Sequence, residues 1–431
     1  MSDAHTHSVA YVRTETLPEL PPPASETGIV KWMRENLFST IPNALLTLLS
    51  LWAIYTILSG VIPWITNGVW GAANIRECRE ILEGASGGCF AVISERWNQL
   101  LFGIAYPQDQ YWRPTLAFIL LFVAAAPVLF VTLPRKLLLF TAVYPFLAYW
   151  LIWGGTVLIP IVAFGGAVIG YLAYAHFVNQ SFAMGMAAGV LAALGAWWIG
   201  GFITGAAEGV MALEAVASRD VGGFMLNMIL GVVCVSLSLP IGIVLALGRQ
   251  SDMLIIKWIC VIFIEFIRGV PLITLLFVAN VVLAYFLPPG TNFDLILRVI
   301  IMITLFASAY IAEVIRGGLA ALPRGQYEAA DSLGLDYPQA MRLIILPQAL
   351  KISIPGIVNV AVGLFKDTAL VSIISMFDLV GLIRGPILAS TDWNGVYWEL
   401  WGFAALLFFV VSYSISQYSQ WLERQLATDH R

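Results

Sequence analysis

Long apolar stretches alternate with short polar ones along the whole chain. A helix that spans a bilayer needs roughly 20 consecutive, mostly apolar residues. Stretches poor in Asp, Glu, Lys and Arg predict such helices at about 43–64, 115–133, 137–153, 156–175, 184–206, 223–248, 254–287, 296–316, 349–376 and 399–422. The longest uncharged run, Leu137–Ala207, covers 71 residues. As helix it measures about 107 Å, enough for roughly three crossings of a hydrocarbon core about 30 Å thick. Gly154-Gly155 and the polar stretch 176–181 are its natural breaks. The pattern predicts an all-α membrane protein of about ten transmembrane helices.

Composition removes the soluble alternatives. Of 431 residues, 60% are hydrophobic and 11% charged, against about 25% charged in a soluble domain. Too few charges remain to cover soluble surfaces, so a soluble enzyme is excluded. The thin net charge of −4 suggests no nucleic-acid partner. Fifteen Trp and fifteen Tyr suit the aromatic belts of a lipid bilayer. Lys and Arg are enriched in alternate short loops, as at Arg135, Lys136, Arg249, Arg324, Arg342 and Lys351. The positive-inside rule then places both termini in the cytoplasm.

Three regions follow. Residues 1–42 read as a polar, Pro-rich cytoplasmic tail, in which His5 and His7 lack further metal ligands. Residues 43–221 form an extension of five spans with an outer loop at 65–113. Residues 222–425 hold the other five. The loop's Cys78 and Cys89 read as two free thiols packed on the helices, or as a disulfide if the loop faces an oxidising compartment. Cys234 and Cys260 read as packing residues. The pairs Gly166/Gly170, Gly185/Gly189 and Gly201/Gly205 have the small-residue spacing that brings membrane helices together.

Enzymatic chemistry finds no support. The chain has no Gly-Lys dipeptide, and so no P-loop. It has no nucleophile elbow and no metal-spaced Cys/His cluster. Catalytic and metal residues are therefore expected to be none, and the chain itself should not hydrolyse ATP. The polar block 322–350 is the most unusual segment, and by span parity it is cytoplasmic. Pro323 can open a short helix, and Gly334 can close it with a left-handed cap. Tyr327, Ala329, Ala330 and Leu333 give this helix one small-apolar face. A second short helix, about 337–345, leads into Leu346-Pro347.

Glu328-Ala329-Ala330, then Gly334, Ile344 and Leu346-Pro347, match the EAA signature throughout. The chain resembles a type I ABC importer permease. The stretches 265–272, 309–318, 346–350 and 365–368 resemble the polar amino-acid branch. The likeness covers about 222–425, and it is closest to the larger permease subunit of general L-amino-acid or glutamate/glutamine/aspartate/asparagine uptake systems, which carry an N-terminal extension too. The resemblance implies an all-α core of five helices that imports L-amino acids across a bacterial inner membrane, polar or acidic ones or a broad range. It implies no cofactor in this chain, with ATP used by a partner ATPase subunit. It further implies a second permease (a homologue or this chain itself) and a periplasmic amino-acid-binding protein. Glu328, Ala329, Ala330 and Gly334 become the ATPase-coupling positions. The alternative is a stand-alone secondary transporter or channel, in which block 322–350 has no role.

Ionisable residues within spans usually face the protein interior, because each costs about 2.5–3.5 kcal/mol at a helix centre. Glu265/Arg268 and Glu313/Arg316 are both spaced i,i+3, which favours pairing along one helix, with a place on the substrate path as the other reading. Pro271 is expected to kink its helix. Lys366 and Asp367 are adjacent near mid-span and point about 100° apart. Two readings stay open for them: lining the substrate path, or ion pairs that pack helices.

Overall fold

The computed structural model describes residues 28–426, except 131, 208, 283, 284, 286–292 and the side chains of 182 and 183. His5, His7 and the Pro-rich run 17–23 lie outside the described residues. Two compact units are present. One holds the described residues up to Gly68 together with Gly84–Gly88, and the other holds Val69–Glu83 and everything from Cys89 onward.

The smaller unit is built on two helices, α1 (Gly28–Asn36) and α2 (Ile41–Thr66). The expected tail 1–42 is thus helical over Gly28–Asn36, where Lys31 and Glu35 pair at i,i+4. Thr40 caps α2 by accepting from Asn43 N at 3.3 Å, and α2 buries none of its residues. An apolar helix with every face open suits lipid.

The larger unit begins with α3 (Ile75–Leu82) and α4 (Ala91–Phe102). Asn74 caps α3. Cys78 and Cys89 are joined in a disulfide, which corrects the free-thiol reading. Sequence spacing leaves their pairing open, and the fold brings their Cα atoms to 6.1 Å, within bridging reach. Four helices follow: α5 (Trp112–Leu129), α6 (Leu138–Trp153), α7 (Leu158–Phe177) and α8 (Phe182–Ala206). Ala117 of α5 and Leu151 and Ile152 of α6 share an apolar core with residues beyond 221. Arg113 is fully buried and donates to the carbonyls of Leu151 at 2.7 Å and Glu214 at 2.9 Å.

Helices α7 and α8 pack chiefly on each other. Helix α7 buries only Pro160, Gly166 and Gly170. A Cβ on Gly170 would lie 2.8 Å from both the Gly189 carbonyl and Ala193 Cβ, so backbone contact holds this hairpin. The third expected pair is not used. Gly201 and Gly205 face open space, and Gly200 makes the close contact instead, against Val162. A repeat of four drifts from the 3.6-residue helical turn, so the contact stripe moves by one position.

The rest contains α9 (Gly223–Arg249), α10 (Leu254–Gly269), α11 (Leu272–Phe277), α12 (Leu295–Ala320), α13 (Arg324–Ser332), α14 (Tyr337–Ala340), α15 (Leu346–Asp367), α16 (Leu379–Leu382) and α17 (Tyr397–Leu426). The expected continuous span 254–287 is broken. Helices α10 and α11 meet at 102°, because Val270-Pro271 cannot continue the helical ladder. Among the described residues, nine helices are long and apolar enough to cross a membrane, or ten if this bent pair counts as one. They contain no strand, only isolated bridges, so the all-α reading stands. Helices α9, α12 and α15 approach closely: a Cβ on Gly242 would meet Ile311, and one on Gly318 would meet Ser353 Oγ.

Candidate functional site

Helix α13 carries the signature block. It starts just after Pro323 and ends in a cap with two nested backbone bonds, both donated back to its last turn. Leu335 N donates to Ala330 O at 3.2 Å, and Gly334 N to Asp331 O at 2.9 Å. Gly334 sits at φ +70°, where a side chain is strained. The single apolar face expected for α13 is divided. Ala330 is fully buried and Tyr327 packs on the inner apolar cluster, whereas Glu328, Ala329 and Leu333 are exposed. A hundred degrees per residue carries Ala329 to a different side from Ala330. Gln348 ties the block down by donating to Gln326 Oε1 at 2.9 Å. The second short helix does not stop: α14, capped by Asp336, runs through a wide π-turn at 341–345 into α15. Leu333, Tyr337 and Leu343 therefore stand exposed at 72%, 59% and 64% beside Ala329 in the sequence order of the block.

The ionisable residues expected inside spans fall into two sets. Glu313 is the centre of the first. Its carboxylate faces Arg316 on its own helix, with Arg316 Nε donating at 2.9 Å. It also faces Arg249 at 3.3 Å and Arg268 at 3.6 Å. The Glu265/Arg268 pairing is corrected: Glu265 joins Arg249 at 2.9 Å, while Arg268 turns to Glu313 and stacks over Tyr310, 5.7 Å from the ring centre. Three arginines and two glutamates thereby join α9, α10 and α12. Arg249 was readable in the sequence only as a topology marker, since its partners lie 16 and 64 residues away. The second set is Lys366 and Asp367. They end α15 rather than sitting at mid-helix, and a 3₁₀ turn, Thr368–Ile374, follows. Lys366 is exposed and Asp367 half-buried. The structure does not bring this set to the arginine cluster.

A family model described as "binding-protein-dependent transport system inner membrane component" matches residues 238–427. A glutamate/glutamine/aspartate/asparagine transport system permease protein of Rhodobacter capsulatus is 53% identical, with 98% of this chain and 99% of that protein covered. The chain belongs to the amino-acid ABC transporter permease family. An inner membrane amino-acid ABC transporter permease protein of Escherichia coli is 38% identical over 96% of this chain and 98% of its own length. A solved amino acid ABC transporter is 32% identical over 47% of this chain and 92% of that chain, with a TM-score of 0.42. Permeases of this family are multi-pass inner-membrane proteins that work with an ATPase and a binding protein.

This permease holds one polar site that the sequence did not reveal. Asp378 is fully buried and accepts from Asn227 Nδ2 at 3.0 Å and Gly381 N at 2.9 Å. Asn227 also donates to Thr368 Oγ1 at 3.1 Å and accepts from Leu379 N at 3.2 Å. The network joins the start of α9, the turn after Asp367 and the start of α16. Burial pushes the Asp378 carboxyl up to about 6, against the hydrogen bonds of Asn227 and three backbone amides, which favour its charged form. A lone Asn in an apolar run was the only available signal, and it names no partner.

Proposed function

We propose that this permease imports polar or acidic L-amino acids, coupled through α13 to the ATPase of its complex. The exposed end of the signature block carries this reading. Glu328 and Ala329 stand free for a partner, while Ala330 anchors the helix from the other side and Gly334 turns the chain away. A small residue allows close approach, and a carboxylate can accept from a basic partner. The chain contributes no cofactor, and ATP is consumed by the ATPase. A second permease, either a homologous subunit or another copy of this chain, completes the pathway. Residues 222–425 do the transporting, and the termini are cytoplasmic. The Lys/Arg bias supports this orientation, and so does the Cys78–Cys89 disulfide, which suits an oxidising outer compartment.

For the substrate, the lysine at the end of α15 offers an ammonium to a carboxylate, and Asp367 offers a carboxylate to an α-amino group. Arg268, Glu265, Glu313 and Arg316 stand further along the same path. The 53% identical relative is named for glutamate, glutamine, aspartate and asparagine, which supports the same substrate class here.

The test is uptake of those four amino acids by the complete complex in proteoliposomes. Gly334→Val and Glu328→Lys are expected to insert normally and to abolish uptake, and normal uptake in both contradicts the coupling role. Lys366→Ala and Asp367→Ala are expected to change the substrate range or rate. If neither changes uptake of any of the four, both residues are structural.

A further inference from the structure

We infer that residues 69–83 and 89–103 of the extension act as a disulfide-stapled strut that holds the 377–400 segment of the transporting core in its working position. The inference rests on the transport reading above. Helices α3 and α4 share one apolar core with α16 and the start of α17: Cys78, Val92 and Leu100 pack in the same cluster as Leu382, Trp393 and Leu400. Polar contacts fix the register. Ile75 N donates to Asp392 O at 2.8 Å. Cys89 N, beside the disulfide, donates to Glu399 Oε1 at 2.8 Å, and Glu399 is only 8% exposed.

The far end of the strut meets the first helix of the core. Gly222 N donates to Phe102 O, and Gly223 N donates to Phe377 O at 2.8 Å. A Cβ on Gly223 would lie 2.6 Å from Leu100 O, so the backbones are in contact. Residues 100–103, 222–223 and 377 thus form one junction. Asp378 and Asn227 lie within four residues of that junction, and their network reaches Thr368, the neighbour of Asp367. A shift in the strut moves both ends of the 377–400 segment and the turn that follows the proposed substrate residues. Glu399 is accordingly a positioning residue.

The test uses the whole complex with its ATPase and binding protein, in vesicles with the outer face accessible. Labelled L-glutamate, L-glutamine, L-aspartate and L-asparagine are the probes. In the Cys78→Ser/Cys89→Ser pair, in Glu399→Gln, and in unmodified protein treated with a membrane-impermeant reductant, uptake and binding-protein-stimulated ATP hydrolysis are expected to fall about tenfold. Basal ATP hydrolysis and assembly are expected to stay unchanged. Unaltered uptake in all three overturns the strut alone. Loss of basal hydrolysis along with uptake in Glu399→Gln overturns it in favour of a plain folding role. If the unmodified complex takes up none of the four probes, the transport reading falls and the strut falls with it.

Discussion

The α7–α8 hairpin and the core helices α9, α12 and α15 use the same glue in different company. Both rely on glycines that let helices touch. In the hairpin, the buried positions of α7 are Pro160, Gly166 and Gly170, and the described buried positions of α8 are Gly185, Gly189 and Gly200. Its large side chains face outward, and it carries no formal charge. In the core, glycine contacts coexist with five charged residues gathered at the junction of α9, α10 and α12. Apolar packing alone builds a membrane helix pair. In this cluster each charge faces one of opposite sign, because an uncompensated charge inside the membrane is costly.

The comparison breaks first at Glu313. Glu313→Ala leaves Arg249, Arg268 and Arg316 without their shared carboxylate, and is expected to cost on the order of 3 kcal/mol. A clear fall in the thermal unfolding temperature of the purified complex checks this. An unchanged temperature would show that the arginines find water instead.

A smaller effect separates packed from open glycines. Gly318→Ala pushes a methyl against Ser353 Oγ and the Ala349 carbonyl, and about 1–3 kcal/mol of destabilisation is expected. Gly201→Ala in the hairpin meets nothing within 4 Å and should stay within about 0.5 kcal/mol of the parent. Similar unfolding temperatures for the two variants would remove the distinction.

The smallest effect depends on pH. The Asp378 carboxyl, raised to about 6, keeps in the fold a proton that the unfolded chain has released above about 4. Its contribution is complete below about 4 and is lost as pH rises through 6. The stability difference between the parent and Asp378→Asn should therefore shrink from pH 4 to pH 6 and level off above 7. A difference that is flat across that range would place the carboxyl in a wetter site.

Much of this was legible along the chain. Span positions, the break at Pro271 and the cap at Gly334 come from local rules: apolar length, a missing amide, a left-handed turn. The signature block on α13 was legible because its residues are close in sequence. The arginine cluster was half legible. Glu313 and Arg316 meet as neighbours one turn apart, whereas Glu265 prefers Arg249 to Arg268. Asp378 was illegible, since Asn227, the side chain that donates to it, lies 151 residues away.

The sequence by itself determined that this chain is a helical membrane protein with an ABC permease signature, because bilayer thickness and helix geometry act on contiguous residues. Only the tertiary structure decided which charges neutralise one another, that Cys78 meets Cys89, and that helices α3 and α4 pack on α16 and the start of α17. Those outcomes depend on which helices become neighbours. In a chain where nearly every span is equally apolar, hydrophobicity cannot make that choice; the close fit of glycine contacts and the pairing of a few buried polar groups do.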